Sequence, residues 1–266
     1  MSKLLENLYI KYEISQLPNG KVGDALGDVY EEFILEIFKD LATMRKWPED
    51  SLERLIVKGL FDYFPEYERN IESISSSKKD IPKTKNGGSP KTDVYLEVNL
   101  INSPSPIIIP LNIKQSTVPR VSFAEYDADT ISEALGITDP KLISLLIKHQ
   151  CDASAKNFTD NDLGYLRTHL APYTRNLVRW CITLSPIPTS QDVRHPEYVI
   201  RFDLHHPLKN PQNGNQYKNF NIYSIDEYIN KIMFTNKMKP RKGGFGTGLS
   251  WTYATGSKGL KIQFKA

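Results

Sequence analysis

Two stretches either side of residues 101–106 constrain this chain most. Val94, Leu96, Val98 and Leu100 alternate with Tyr95, Glu97 and Asn99. After the breaker "INSPSP", Ile107, Ile109, Leu111 and Ile113 alternate with Ile108, Pro110, Asn112 and Lys114. A period of two belongs to a strand with one buried face, so the spacing predicts a β-hairpin. Pro110 has no N–H for a ladder, so its nitrogen is expected to face an unpaired side or a bulge. With the turn centred near Ser103–Pro104, Asp93 falls opposite Lys114 or its neighbours. Asn112 and Lys114 share a face because strand side chains repeat every two residues. The hairpin is thus expected to gather Asp93, Asn112 and Lys114 at one end, away from Leu111 and Ile113.

A carboxylate, an amide oxygen and a lysine together suit phosphodiester hydrolysis. That reaction gathers negative charge in its transition state and needs an activated water. A hard cation such as Mg²⁺ serves both ends and prefers oxygen ligands. Asp93 would supply an anionic oxygen, Asn112 a neutral one, and the backbone carbonyl of Ile113 a third. Lys114 would orient or deprotonate the attacking water, or neutralise developing charge. From spacing alone, polar positions on a half-buried hairpin account for the same residues equally well.

The remaining chain supplies helices around this hairpin. Leu26, Val29, Tyr30, Phe33, Ile34, Ile37, Phe38 and Leu41 recur at helical spacing and predict an amphipathic helix over 26–44. Glu32 lies opposite its apolar arc. Glu31 lies at the arc's edge, where it can approach the hairpin as an outer ligand or a partner to metal-bound water. A second helix is predicted over 50–63, and 74–92 reads as a polar loop with two prolines and two glycines. Ser122 and Glu125 fit a capping box for a helix running toward Leu135. Asp139 and Pro140 open another helix. Residues 159–182 read as one or two helices interrupted by Pro172. A strand is expected at 197–204, and "SIDEYINKI" opens with a second Ser-x-x-Glu box. The expected architecture is one α/β domain over residues 1–266, with a mixed sheet.

Charge is distributed unevenly. The net formal charge is +3, yet no acid follows Glu227, while Lys231, Lys237, Lys239, Arg241, Lys242, Lys258, Lys261 and Lys265 do follow it. Residues 1–227 are therefore net acidic, and the basic end points to a polyanionic partner. Phe245, Trp251, Tyr253, Ile262 and Phe264 in that end imply a folded segment rather than a loose arm. At "LSWTYATGSKGLKIQFK" a hairpin turning at "GSKG" is expected. Leu260, Ile262 and Phe264 would pack inward, and Lys261, Gln263 and Lys265 would face out. Glutamine and lysine suit base edges, and a two-stranded ribbon fits a major groove. Lysines that guard a solvated strand edge give the same pattern.

Other residues exclude more than they suggest. Cys151 and Cys181 cannot build a disulfide framework or a Cys-x-x-Cys zinc site. His149, His169, His195, His205 and His206 show no metal spacing. "GGFGTG" at 243–248 lacks the Gly-Lys-Ser/Thr of a phosphate loop and is expected to make tight turns or to let backbone approach a ligand closely. No apolar run of membrane length and no signal-peptide pattern occurs, so a cytoplasmic, membrane-free protein is expected.

The segments "GGSPKTD", "PLNIK", "AEYD", "RWCITL" and "GFGTGLSWTYATGSK…QFK" carry a resemblance to the MspI family of type II restriction endonucleases. It runs from about residue 17 to the C-terminus and is looser over 183–220. The resemblance implies a restriction-endonuclease-like fold of the PD-(D/E)xK class, a central mixed sheet flanked by helices, with a C-terminal β-hairpin that reads DNA. It implies Mg²⁺-dependent cleavage of double-stranded DNA at CCGG, leaving 5′-phosphates, within a restriction-modification system. The family's metal-binding Asp matches Asp93, its Asn and Lys match Asn112 and Lys114, and its helical Glu matches Glu31. Base-contacting positions match Ser122, Thr252, Gln263 and Lys265, and Trp251 and Lys261 join this expected DNA-facing set. One departure is "QSTVPRVS", where Arg120 is the single basic residue in a segment the family makes lysine-rich. No protein partner is evident, and the expected state is a monomer or a homodimer, a palindromic target favouring two-fold symmetry.

Overall fold

In the computed structural model, which describes residues 2–66, 68–79, 81–83, 89–189, 192–205, 217–238 and 245–266, helices and strands interleave. The helices are α1 (Lys3–Lys11), α2 (Asn19–Ile37), α3 (Leu41–Lys46), α4 (Leu52–Phe61), α5 (Ala128–Leu135), α6 (Pro140–Asp152), α7 (Asp160–Leu170), α8 (Thr174–Thr183) and α9 (Ile225–Met238). The strands are β1 (Ile71–Ser77), β2 (Val94–Leu100), β3 (Ile107–Ser116), β4 (Ser122–Tyr126), β5 (Tyr198–Leu204), β6 (Tyr217–Ser224), β7 (Ser250–Thr252) and β8 (Ile262–Lys265). Packing divides the chain into two compact units, Met1–Pro119 with Ser190–Ser224, and Arg120–Thr189 with Ile225–Ala266.

The first unit is built on a mixed sheet of order β1-β2-β3-β5-β6. The β3–β5 pair is parallel and the other pairs are antiparallel. Leu96, Val98, Ile109, Leu111, Ile113, Ile200 and Phe202 form its buried face, and α2 covers them with Leu26, Val29, Tyr30, Phe33, Ile34 and Ile37. Tyr30 and Phe33 meet Phe202 with ring centroids 4.4 and 6.3 Å apart. The alternation predicted for β2 and β3 thus becomes the core of this unit. The Pro110 carbonyl accepts from the Glu197 N–H at 2.9 Å, so Pro110 faces the β5 side. Pairing with β5 begins only at Leu111 and Tyr198, so the missing N–H breaks no ladder bond.

Three local predictions differ from the structure, two of them where a distant strand decides. The helix expected over 26–44 is two helices, because Asp40 accepts from the Thr43 N–H at 2.7 Å and starts a new one. Residues 71–77, partly assigned to a loop, form β1. Their serines look like loop composition, but β2 offers a free edge and Ile71 and Ile74 are buried against it. Ser122–Glu125 is not a capping box. It is strand β4, with Phe123 and Ala124 buried, and the cap of α5 is Asp127, which accepts from the Thr130 N–H at 2.7 Å.

In the second unit, β8 is the middle strand of a three-stranded antiparallel sheet of order β4-β8-β7. The expected two-stranded ribbon therefore has no free β8 edge. Ile262 and Phe264 are buried as the alternation requires, whereas Leu260, expected to pack inward, is exposed. Gly248 takes φ +85°, and a Cβ there would lie 3.2 Å from backbone atoms of Ile232 and Met233. This glycine lets the chain approach α9, not a ligand. Gly87, Gly88, His206, Lys239, Arg241, Lys242, Gly243 and Gly244 lie outside the described residues.

His149 on α6 is buried among Phe158, Phe245 and Trp251, with no hydrogen-bond partner at Nδ1. Burial pushes its pKa down to about 4. An unfolded histidine titrates near 6.5. The unfolded chain therefore binds the extra proton first, and the stability linked to this neutral ring is present above about pH 6.5 and lost as pH falls toward 4. At about 1.4 kcal/mol per unit, this is roughly 2 kcal/mol by pH 5. His149→Leu is expected to flatten the fall in urea midpoint between pH 7 and pH 5. An unchanged slope would rule out this histidine as a source of acid lability.

Candidate active site and nucleic-acid interface

Asp93 immediately precedes β2, and its carboxylate turns toward β3. The pairing of Val94 with Leu111 places Asp93 level with Asn112, a register two residues tighter than the sequence estimate. Asp93 Oδ2 accepts from the Asn112 Nδ2 at 3.0 Å and from the Ile113 N–H at 2.7 Å. The Lys114 Nζ lies 4.0 Å from the same oxygen. The three side chains expected to converge are together, at the end of the β2–β3 pair.

The amide of Asn112 is held by two acceptors. Its Nδ2 also donates to the Lys91 carbonyl at 2.6 Å. That fixes which end of the amide is nitrogen and leaves Oδ1 buried without a hydrogen-bond partner. An orphaned buried oxygen carries a desolvation cost unless something electropositive reaches it. An ionised aspartate at 112 would set one of its oxygens against both the Lys91 carbonyl and the Asp93 carboxylate, two acceptor–acceptor contacts. The neutral amide is therefore the side chain that this pocket tolerates.

Backbone direction adds a third oxygen. In a strand, the N–H and C=O of one residue point to the same side, so the Ile113 carbonyl, like its N–H, faces the Asp93 side beyond the start of β2. Glu31 on α2 accepts from the Lys78 Nζ at 3.3 Å. Its pKa is raised by burial first and then by the charge of Asp93, against the pull of Lys78. Asp93 is likewise raised by burial, opposed by Lys114, the Ile113 N–H, Lys91 and Lys78. Two carboxylates that each hold a proton more tightly than usual, beside an unpaired amide oxygen, are a donor set short of positive charge. The residues fit a hard, oxygen-preferring cation. Among the described residues no group of three or more His, Cys, Asp or Glu could hold a metal, so a soft-metal site of the zinc type has no counterpart there.

Three cations near this cluster carry no signal in the sequence. Lys78 follows β1 and pairs with Glu31, and Lys91 precedes Asp93. Arg201 is in register with Lys114 across the parallel β3–β5 pair and so shares its face. It donates to Asp203 Oδ1 at 3.0 Å and to the Pro119 carbonyl at 2.9 Å. No spacing rule links residues 114 and 201. Only the parallel pairing does.

The second unit carries the other predicted residues. Strand pairing sets Ser122 beside Lys265 and Ser250 beside Lys265. Glu125 lies beside Gln263, and Gln263 beside Thr252. Ser122, Thr252, Gln263 and Lys265 thus share one face of the β4-β8-β7 sheet, and Lys261 precedes them on the same side of the alternation. Ser122 and Lys261 are exposed, whereas Thr252 and Lys265 are half-buried. Gln263 is 8% exposed and its Nε2 donates to Glu125 Oε1 at 2.6 Å. Trp251, expected to face DNA, does not. It lies on the opposite face, its ring centroid 5.0 Å from that of Phe264, and its Nε1 donates to Thr247 Oγ1 at 2.9 Å. An indole needs a partner for its one polar atom when buried, and Thr247 supplies it.

A mixed sheet flanked by helices, with a carboxylate, an amide and a lysine at the end of its hairpin, defines a protein of the restriction-endonuclease fold. A family model described as restriction endonuclease MspI matches residues 10–266, so the chain belongs to the MspI restriction endonuclease family and is a type II site-specific endonuclease. The type II restriction enzyme MspI of Moraxella sp is 40% identical over 269 residues, 99% of each chain. The type II restriction enzyme BsuFI of Bacillus subtilis is 24% identical over 262 residues, 94% of this chain but 60% of that enzyme. A crystal structure of restriction endonuclease MspI in complex with its cognate DNA matches with a TM-score of 0.86 at 39% identity, covering 100% of this chain and 99% of that one.

Proposed function

We propose that this chain cleaves double-stranded DNA at CCGG with Mg²⁺, leaving 5′-phosphate ends. The setting is the cytoplasm of a prokaryote whose own DNA is protected by a cognate methyltransferase. The single observation that carries the chemistry is the orphaned Asn112 Oδ1 beside Asp93 and Lys114. Type II restriction endonucleases typically depend on a divalent metal. Asp93, Asn112 Oδ1 and the Ile113 carbonyl would hold Mg²⁺, which when bound polarises the scissile phosphate and lowers the pKa of a water. Lys114 faces the same space, where it takes or steers the proton of the attacking water and offsets charge on the phosphate. Glu31 sits further out as a hydrogen-bond partner.

Recognition is assigned to the polar face of the β4-β8-β7 sheet. Ser122, Thr252, Gln263 and Lys265 would contact bases, and Lys261 the backbone. No helix among the described residues is long and apolar enough to cross a membrane.

The test is a defined plasmid incubated with the protein and Mg²⁺. Cuts confined to CCGG, with ends that ligate without prior phosphorylation, are expected. Sequence-specific binding without cutting in any divalent metal would instead identify a non-catalytic DNA-binding protein. Turnover of small phosphate esters without duplex DNA would identify a hydrolase of another kind.

A further inference from the structure

Glu125 lies on the same sheet face as the proposed base-contacting residues but is not one of them. It sits on β4, directly across from Gln263 on β8, with Thr252 next in the row on β7. One of its oxygens accepts from Gln263 Nε2 at 2.6 Å, and the other accepts from Ser257 Oγ at 3.0 Å. Ser257 belongs to the connection between β7 and β8, so the carboxylate is held from two sides. Gln263 Oε1 is buried with no hydrogen-bond partner.

A glutamine amide has a donor end and an acceptor end. A carboxylate accepts only, so the Gln263 nitrogen must face Glu125, since the reversed amide would oppose two oxygens. One of the two Nε2 hydrogens is thereby occupied, and the amide is fixed with its oxygen turned away from Glu125. In the major groove, guanine and thymine present acceptors at the positions such an oxygen would meet, whereas cytosine presents its N4 amino group. Adenine also has an amino group, but the proposed CCGG target contains no adenine.

We propose that Glu125 is a specificity-determining positioning residue, which locks Gln263 as an acceptor that takes the amino group of a cytosine in the target. The proposal rests on the reading of Gln263 as a base contact. Glu125 does not touch DNA. It acts by removing the amide's freedom to turn.

The experiment compares wild type, Glu125→Gln, Ser257→Ala and Gln263→Ala on duplexes carrying one base substitution at each target position. Each cytosine is also replaced in turn by an analogue lacking the 4-amino group. Wild type is expected to lose about tenfold or more in kcat/KM when one particular amino group is deleted. Gln263→Ala should erase that penalty. Glu125→Gln should shrink it at the same position and no other, because a neutral amide lets Gln263 present either end. Ser257→Ala, which leaves the carboxylate in place but less firmly held, should shrink it less. A purely structural Glu125 would slow cleavage of all duplexes alike, and that uniform loss would overturn the proposal. A penalty that Gln263→Ala erases but neither Glu125→Gln nor Ser257→Ala changes would overturn it too, while leaving Gln263 as a base reader. If Gln263→Ala erases no penalty at any position, the base-reading role of Gln263 fails and Glu125 falls with it.

Discussion

Asp93→Asn is expected to reduce DNA cleavage by about a thousandfold or more while leaving the protein folded and able to bind its target. A metal that polarises phosphate contributes several kcal/mol to the barrier, and each 1.4 kcal/mol is tenfold in rate. Asparagine is the informative replacement because the native bonds survive it. Both the Asn112 Nδ2 and the Ile113 N–H donate to one oxygen, Asp93 Oδ2, and an amide oxygen in its place accepts both. The change removes the charge and turns the other oxygen, Oδ1, into an NH2 group. Burial already raises the pKa of Asp93, so at neutral pH its ionised form costs stability. The sign follows from linkage: a carboxyl with a raised folded pKa binds more protons folded than unfolded, and its contribution worsens as pH rises. The variant should therefore melt at the same temperature as wild type or higher without metal. Saturating Mg²⁺ should raise the melting temperature of wild type and not that of the variant. A metal-induced rise of equal size in both would remove Asp93 from the metal site.

What the sequence made legible, and what it did not, divides along the range of the interactions. The β2–β3 hairpin was readable because burial on one face writes a period of two, and two such runs with a breaker between them can pair in few ways. Its register was not readable to better than two residues, because the turn at 101–106 has no two-residue signature that would fix it. Spacing therefore places Asp93 and Asn112 near each other without showing that they pair directly. Ser122 and Glu125 show the opposite failure. Ser-x-x-Glu is a valid local signal for a helix start, and β8, more than 130 residues further on, overrode it by offering a ladder. On a helix Glu125 would be only a capping partner, and its place on the sheet face follows from the β4–β8 pairing alone. Trp251 failed for a related reason. Aromatic residues in a basic segment suit DNA, but parity along β7 puts residue 251 on the face opposite Thr252. Once Thr252 shares a face with Gln263, Trp251 must join Phe264.

Asn112 links the two halves of the chemistry. Its nitrogen is consumed by acceptors in the fold, and its oxygen is left over. An acid at this position would add a third negative group to Asp93 and Glu31, which burial and mutual repulsion already strain. An amide supplies an oxygen ligand at no cost in charge. The consequence is a site with less negative charge than a two-acid hairpin would have, and so one in which a nearby lysine competes more effectively with a cation.

Lys114 sits where that competition is decided, and its replacement separates binding from chemistry. Lys114→Met should lower cleavage by about 10²–10⁴, the usual worth of a positioned acid or base. Metal affinity should move the other way. The ammonium lies 4.0 Å from Asp93 Oδ2, where it offsets the charge that a cation would otherwise neutralise. Removing it should leave Mg²⁺ binding unchanged or tighter in a thermal-shift titration, in contrast to Asp93→Asn. It should also raise the pKa of Asp93 further, because Lys114 is the largest influence holding that carboxyl down against burial. Metal binding by the variant should then weaken sooner as pH falls. Lys114→Arg keeps the charge but cannot release a proton near neutral pH. If Lys114 only neutralises the phosphate, arginine should restore a substantial part of the rate. If it must exchange a proton with water, arginine should be as slow as methionine. Loss of Mg²⁺ binding in Lys114→Met would contradict both roles, and would mean that the lysine holds the pocket together rather than acting in it.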